Sequence, residues 1–221
     1  VGKTYVGSLI AKALCSAGKC VGVYKPAASG CEMRDGQLVS SDAFLLWEAA
    51  GRPGSLDRVC PQTFAAPLAP HLAARAEGRR VDPQLLRAGI KYWQEESEIV
   101  LVEGVGGLMS PLGDDDYNAD LAAEFNYPLV VVAENALGTI NATLQTLIAA
   151  CTYCEGLPVA GVVLNSPSVR PDDLSIDSNR DELERRCVAP VLAAIEHGGT
   201  FDQAVDWWEL AETESGGRSS C

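Results

Sequence analysis

The chain has 221 residues, 47% of them hydrophobic, which is enough to bury a substantial core, and a single domain over residues 1–221 is expected. A formal net charge of −13 argues against nucleic acid or an anionic membrane surface as partner, since both call for a basic face. No apolar run reaches the ~20 residues that cross a bilayer and no signal-peptide pattern is present, so a cytoplasmic protein with reduced thiols is expected despite its 8 cysteines.

The first four residues, Val1-Gly2-Lys3-Thr4, match the closing half of a phosphate-binding loop, G-x-x-x-x-G-K-[ST]. The opening half and the strand that normally precedes it are absent from the sequence. Taken alone, the tripeptide fits a helix start with an exposed lysine better than a phosphate loop. Residues 4–17 carry Val6, Leu9, Ile10, Ala13 and Leu14 at helical spacing and stop at Gly18, as a helix fed by such a loop would. Residues 20–24 predict a short strand ending in Lys25-Pro26, then a loop over 27–32 and a polar turn at Asp35-Gly36.

A second helix is predicted over residues 43–50, with Ser41 or Asp42 able to cap it and Gly51 breaking it. A proline-rich loop leads to helical turns at residues 71–76, and Pro83 opens a longer helix through Leu85, Leu86, Ile90 and Trp93 to about Glu96. Residues 99–102 form a continuous apolar run, which suits a parallel strand buried on both faces, and end in Glu103-Gly-Val-Gly-Gly107. The pattern recurs at residues 129–133, followed by a helix over 139–154, and at residues 159–164, followed by Asn165. Successive strand, loop and helix units predict an α/β fold: a doubly wound, mainly parallel sheet with its functional loops on one edge.

Residues 172–186 read as an exposed charged helix, residues 188–195 as a last strand or turn, and residues 212–221 as a frayed terminus. Trp207 and Trp208 are expected to pack on the body. Cys151 and Cys154 have C-x-x-C spacing, but with no second such pair an incidental placement outweighs a metal site.

Each strand end presents a different chemical group. Lys3 and the N–H groups near Gly2 suit the β and γ phosphates of ATP, and Thr4 offers a hydroxyl to Mg2+. Asp42 and Glu103 are candidate magnesium carboxylates, since that ion takes few protein oxygens and fills its octahedron with water and phosphate. For Asp42 a helix-cap role fits as well. Glu103 ends an apolar strand, where a carboxylate is costly unless paired with a cation or metal. Lys25 either stabilises charge developing at the same edge or snorkels out to solvent.

Taken together, Lys25-Pro-x-x-Ser29-Gly, Ser41-Asp-Ala, Val102-Glu-Gly-x-Gly-Gly107 and Leu137-Gly-Thr-Ile-Asn141 resemble the dethiobiotin synthetase family of P-loop proteins, from Val1 to about Asn165. The resemblance implies an ATP- and Mg2+-dependent cyclo-ligase of biotin biosynthesis. Its substrates would be 7,8-diaminopelargonate and carbon dioxide, and a carbamate and a carbamic-phosphoric anhydride would precede dethiobiotin. It implies catalytic roles for Lys3, Lys25 and Ser29, nucleotide contacts from Gly2, Lys3, Thr4, Glu103, Gly106 and Asn165, and metal ligation by Thr4, Asp42 and Glu103. Ser29 and the segment Leu137, Gly138, Thr139, Ile140 and Asn141 would bind substrate, the latter from the neighbouring subunit of a homodimer. Where the family closes its adenine site with a hydrophobic-proline pair, this chain has Ala194-Ile-Glu-His197. The competing readings are a nucleotide-switch ATPase that binds a protein partner, and an inactive fragment that lacks the first strand.

Overall fold

The computed structural model describes residues 1–212, so the frayed terminus expected over residues 212–221 lies outside it but for Glu212. Two compact units are present: Gly7–Glu124, and Val1–Val6 with the chain from Phe125 onward. Helix α1 (Lys3–Ser16) starts one residue earlier than the periodicity predicts.

Within Gly7–Glu124, β1 (Val21–Tyr24) is wholly buried, and a short antiparallel hairpin follows, β2 (Glu32–Arg34) with β3 (Gln37–Val39). Then come α2 (Ser41–Ala49), α3 (Leu56–Val59), α4 (Pro70–Ala76), α5 (Pro83–Ala88), α6 (Ile90–Glu96), β4 (Ile99–Val102) and α7 (Asn118–Phe125). β1 and β4 form a parallel ladder with Val21 opposite Ile99 and Tyr24 opposite Val102. A small core of Phe64, Ala73 and Ala74, with Ala66 and Val81 packed on it, seats α4.

The long helix expected from Pro83 to Glu96 is in fact two, because a tertiary contact divides it at Gly89. The buried Tyr24 hydroxyl donates to the carbonyls of Leu85 and Leu86 at 3.0 and 2.9 Å. A Cβ at Gly89 would lie 2.4 Å from that hydroxyl, so glycine admits the tyrosine at the break.

In the other unit, β5 (Leu129–Glu134), α8 (Thr139–Thr152), β6 (Val159–Asn165), α9 (Ile176–Arg186), β7 (Val191–Ile195) and α10 (Trp207–Glu212) follow in order. The strands pair in parallel as β5-β6-β7, each crossover made through a helix. Their core holds Ala133, Val162, Leu164, Leu183 and Val191. Trp207 is buried and packs on Phe201 with ring centroids 5.0 Å apart.

Burial of the apolar strands is uneven. β6 is buried over its last five residues, whereas β4 and most of β5 are only half-buried, contrary to the expectation of two covered faces. β1 also has one ladder partner among the described residues yet is wholly buried, with α2, α3 and α6 packed on it, so cover by helices rather than pairing sets the difference. Six described cysteines, Cys15, Cys20, Cys31, Cys60, Cys154 and Cys187, are free thiols as expected, while Cys151 is disulfide-bonded.

Candidate active site

Ladder register positions the central pair of charges. Tyr24 faces Val102, so the next residue out of each parallel strand, Lys25 and Glu103, emerges at the same end. The Glu103 N–H donates to the Tyr24 carbonyl at 2.9 Å and the Lys25 N–H to the Val59 carbonyl at 2.8 Å, which fixes both main chains. Lys25 is only 2% exposed and Glu103 8%. The Lys25 Nζ donates to Glu103 Oε1 at 2.8 Å and lies 3.4 Å from Asp42 Oδ2. Burial disfavours the Lys25 ammonium. The charge and hydrogen bond of Glu103, and then the charge of Asp42, outweigh that penalty and raise its pKa above the ordinary lysine range. Lys25 is therefore a buried cation rather than a side chain that snorkels to water.

Asp42 reaches this cluster because another residue caps α2. Ser40, with extended backbone, accepts the Ala43 N–H on Oγ at 3.2 Å, so the cap expected at Ser41 or Asp42 lies at Ser40. Asp42 occupies the first turn of the helix, where a carboxylate also suits the helix dipole. The carboxylates themselves come from the first turn of α2 and the end of β4. In α1, a Cβ at Gly7 would lie 3.0 Å from Leu46 and 4.0 Å from Glu103 Oε2, so the helix backbone passes close to the carboxylate.

Ser29 sits in a stretch laid beside residues 60–66. The Ala28 N–H donates to the Gln62 carbonyl at 2.8 Å and its carbonyl accepts from Phe64 at 2.9 Å. Gly106 lies in the loop after Glu103 with φ +78°, and the neighbouring Gly107 N–H donates to Ser110 Oγ at 2.8 Å.

The other unit holds the remaining candidates. Gly2 has φ +84°, its carbonyl accepts the Val6 N–H at 3.1 Å, and Lys3 and Thr4 form the first turn of α1. The buried Asn165, at the end of β6, donates from Nδ2 to the Val1 carbonyl at 2.8 Å. A Cβ at Gly2 would fall 2.3 Å from that same nitrogen, so the asparagine requires glycine at position 2. Asn165 thus braces the Val1-Gly2 backbone, a contact across 164 positions that no local signal announces.

Leu137, Gly138, Thr139, Ile140 and Asn141 surround the start of α8. Gly138 is its N-cap at φ 95° with no side-chain cap, so the first N–H groups of the helix lack a side-chain acceptor. Leu137 is 84% exposed, but its N–H donates to Asp173 Oδ2 at 2.9 Å. Asn179, buried in α9, donates to Asn135 Oδ1 at 2.9 Å and the Ala136 carbonyl at 3.3 Å, holding the approach to this helix start.

No group of three or more His, Cys, Asp or Glu side chains among the described residues could hold a metal unaided. Asp42 and Glu103 together supply hard oxygen donors with one lysine charge between them. That set fits a magnesium ion that takes most of its ligands from phosphate and water.

Residues 1–204 match a family model described as an AAA domain. Among solved structures, the ParA family ATPase from Chlorobium tepidum TLS shares the fold with a TM-score of 0.51 at 15% identity, over 89% of this chain and 78% of that one. The chain is thus an α/β protein of P-loop NTPase-like fold. The ATP-dependent dethiobiotin synthetase BioD of Rhodopirellula baltica is 42% identical over 206 residues, covering 88% of this chain and 79% of its own length. That of Aromatoleum aromaticum is 36% identical over 204 residues, covering 92% and 89%. The chain belongs to the ATP-dependent dethiobiotin synthetase family, and it is an ATP-using ligase of biotin biosynthesis.

Proposed function

We propose that the chain carboxylates 7,8-diaminopelargonate with carbon dioxide and closes the ureido ring of dethiobiotin at the expense of ATP. One amine of the substrate attacks carbon dioxide and loses a proton to give a carbamate. A carbamate oxygen attacks the γ-phosphorus, ADP departs, and the neighbouring amine attacks the carbamoyl carbon of the mixed anhydride and expels phosphate. Three negative groups must therefore meet, namely carbamate, γ-phosphate and departing ADP.

The observation that carries this reading is the buried ammonium of Lys25, held 2.8 Å from Glu103 and 3.4 Å from Asp42. A fixed cation with few waters around it stabilises developing phosphoryl and carboxyl charge without reorganising. Gly2, Lys3 and Thr4 hold the phosphates with backbone N–H groups, an ammonium and a hydroxyl. Thr4, Asp42 and Glu103 would ligate Mg2+, which when bound neutralises phosphate charge and orients the β and γ groups. Gly106 takes the close backbone approach to nucleotide, and Asn165 serves the nucleotide through the Val1-Gly2 backbone that it braces. Ser29 binds the diamine side of the substrate. The helix start at Leu137, Gly138, Thr139, Ile140 and Asn141 takes the substrate carboxylate from the neighbouring subunit of a homodimer, with Gly138, Ile140 and Asn141 as N–H donors because the Leu137 N–H already serves Asp173 and the Thr139 N–H the Ala136 carbonyl. A cytoplasmic enzyme that works as one functional domain completes the reading.

The test is incorporation of labelled bicarbonate into an acid-stable ureido product, dependent on the diamine and on MgATP. Glu103→Gln is expected to raise the Mg2+ concentration needed for half-maximal turnover while leaving ATP affinity nearly unchanged. ATP turnover that ignores the diamine and responds instead to a protein partner would overturn the reading in favour of a switch ATPase.

A further inference from the structure

We propose that Asn118 is a positioning residue for this ligase, whose carboxamide sets the path of the chain out of β4 and so the orientation of Glu103. The inference rests on the metal-binding role assigned to Glu103 above.

Glu103 is followed by Gly104-Val-Gly-Gly107, a stretch with little intrinsic stiffness because glycine has the widest backbone freedom of any residue. Such a chain cannot by itself aim the carboxylate that precedes it. Upstream, Glu103 is held by the 2.9 Å bond from its N–H to Tyr24. Downstream, the residues nearest Glu103 are held by the Asn118 side chain. Asn118 Oδ1 accepts the Val105 N–H at 3.1 Å, while Nδ2 donates to the carbonyls of Val105 and Gly107, both at 2.7 Å. Accepting and donating at once needs a carboxamide of this length.

Two further observations show that the contact is built in. A Cβ at Gly104 would lie 2.6 Å from Asn118 Oδ1, so the residue next to Glu103 must be glycine for the amide to approach. Main-chain bonds bring Asn118 there, from its own N–H to Ser110 at 3.1 Å and from the Ala119 N–H to Leu108 at 3.0 Å. Although Asn118 opens α7, its side chain is directed to the loop after Glu103. Residues 104–118 therefore close into a loop pinned at its neck, and the neck adjoins the carboxylate.

Partners that orient a metal ligand typically cost about 10–100-fold in metal affinity or activity when removed. Asn118→Ala and Asn118→Asp are therefore expected to lower kcat about tenfold or more and to raise the Mg2+ half-saturation by a similar factor. The aspartate variant separates the two halves of the contact, since it keeps an acceptor for Val105 but gives up both donations. Amide hydrogen exchange of the metal-free protein supplies a readout independent of turnover, and the Val105 N–H should exchange faster in Asn118→Ala. If the aspartate variant folds, with kcat and Mg2+ requirement within about twofold of wild type while Glu103→Gln is impaired, the inference falls and the reading of Glu103 stands. An unchanged Mg2+ requirement in Glu103→Gln would overturn both. Failure of both Asn118 variants to fold would make the residue a general structural one and would also overturn the inference.

Discussion

Lys25→Met removes the central ammonium and keeps a side chain of similar length, so its effect can be worked out from the structure. The lysine and Glu103 side chains are 3% and 8% exposed and 2.8 Å apart. Removing one member of such a buried pair leaves the other charge uncompensated and costs about 3–5 kcal/mol. Asp42, with its side chain 49% exposed, adds little to that figure because solvent screens it. In a chain of this size each kcal/mol moves the melting temperature by about 2–4 °C, so a fall of about 6–20 °C is expected at neutral pH. Adding Glu103→Gln removes the stranded charge, and the double variant should melt above Lys25→Met, with a coupling of about 0.5–3 kcal/mol. The pH dependence carries a sign. Burial lowers the lysine pKa, but Glu103 and Asp42 raise it further, and the net folded value lies above the unfolded one. The stabilisation is then fully present below the unfolded lysine value of about 10.4 and is lost as pH rises through the folded value. Thermal unfolding followed by circular dichroism would show a gap between wild type and Lys25→Met that is constant from pH 7 to 9 and closes in stronger alkali. A variant that melts within about 2 °C of wild type, a gap that narrows already between pH 6 and 8, or a double variant no more stable than the single one would refute the reasoning.

Three other substitutions separate roles at the site. Ser40→Ala should lower stability by about 1 kcal/mol through loss of the α2 cap. Asp42→Ala should leave the melting temperature nearly unchanged and instead raise the Mg2+ requirement for turnover; the reverse pattern would return the capping role to Asp42. Gly2→Ala combines a positive φ with a Cβ only 2.3 Å from Asn165 Nδ2. Backbone strain of this kind costs about 1–3 kcal/mol, and if it falls on the phosphate loop, ATP affinity measured by calorimetry should weaken about tenfold. Unaltered affinity would separate the Gly2-Asn165 contact from nucleotide binding.

Much of the fold was legible because its signals are local. Buried parallel strands read as apolar runs, and β1, β4, β5 and β6 lie where those runs do, within a residue or so. α1 and α8 follow from helical spacing and from the glycines beside them. The hairpin β2–β3 leaves no signal in the sequence because its strands are three residues each and largely exposed, with no alternation to report them. α7 is not readable because its eight residues make only about two turns, too short for a helical period to stand out. The break between α5 and α6 and the half-burial of β4 were not readable, since each depends on elements far along the chain.

The sequence by itself determined which chemical groups stand at the strand ends, namely Gly2-Lys3-Thr4, Lys25, Glu103 and Asn165, because strand ends and glycine-bearing loops are marked by their immediate neighbours. It also pointed to the family through motifs that occur together in one order. Only the tertiary structure decided what those groups touch. Lys25 and Glu103 are 78 positions apart and meet through the register of one parallel ladder. Asn165 meets Val1 across 164 positions, and Ser40 rather than Ser41 or Asp42 takes the cap of α2. A side chain's own type sets what it can bond to, but its partner depends on strand register and helix placement, which arise from burial of the whole core.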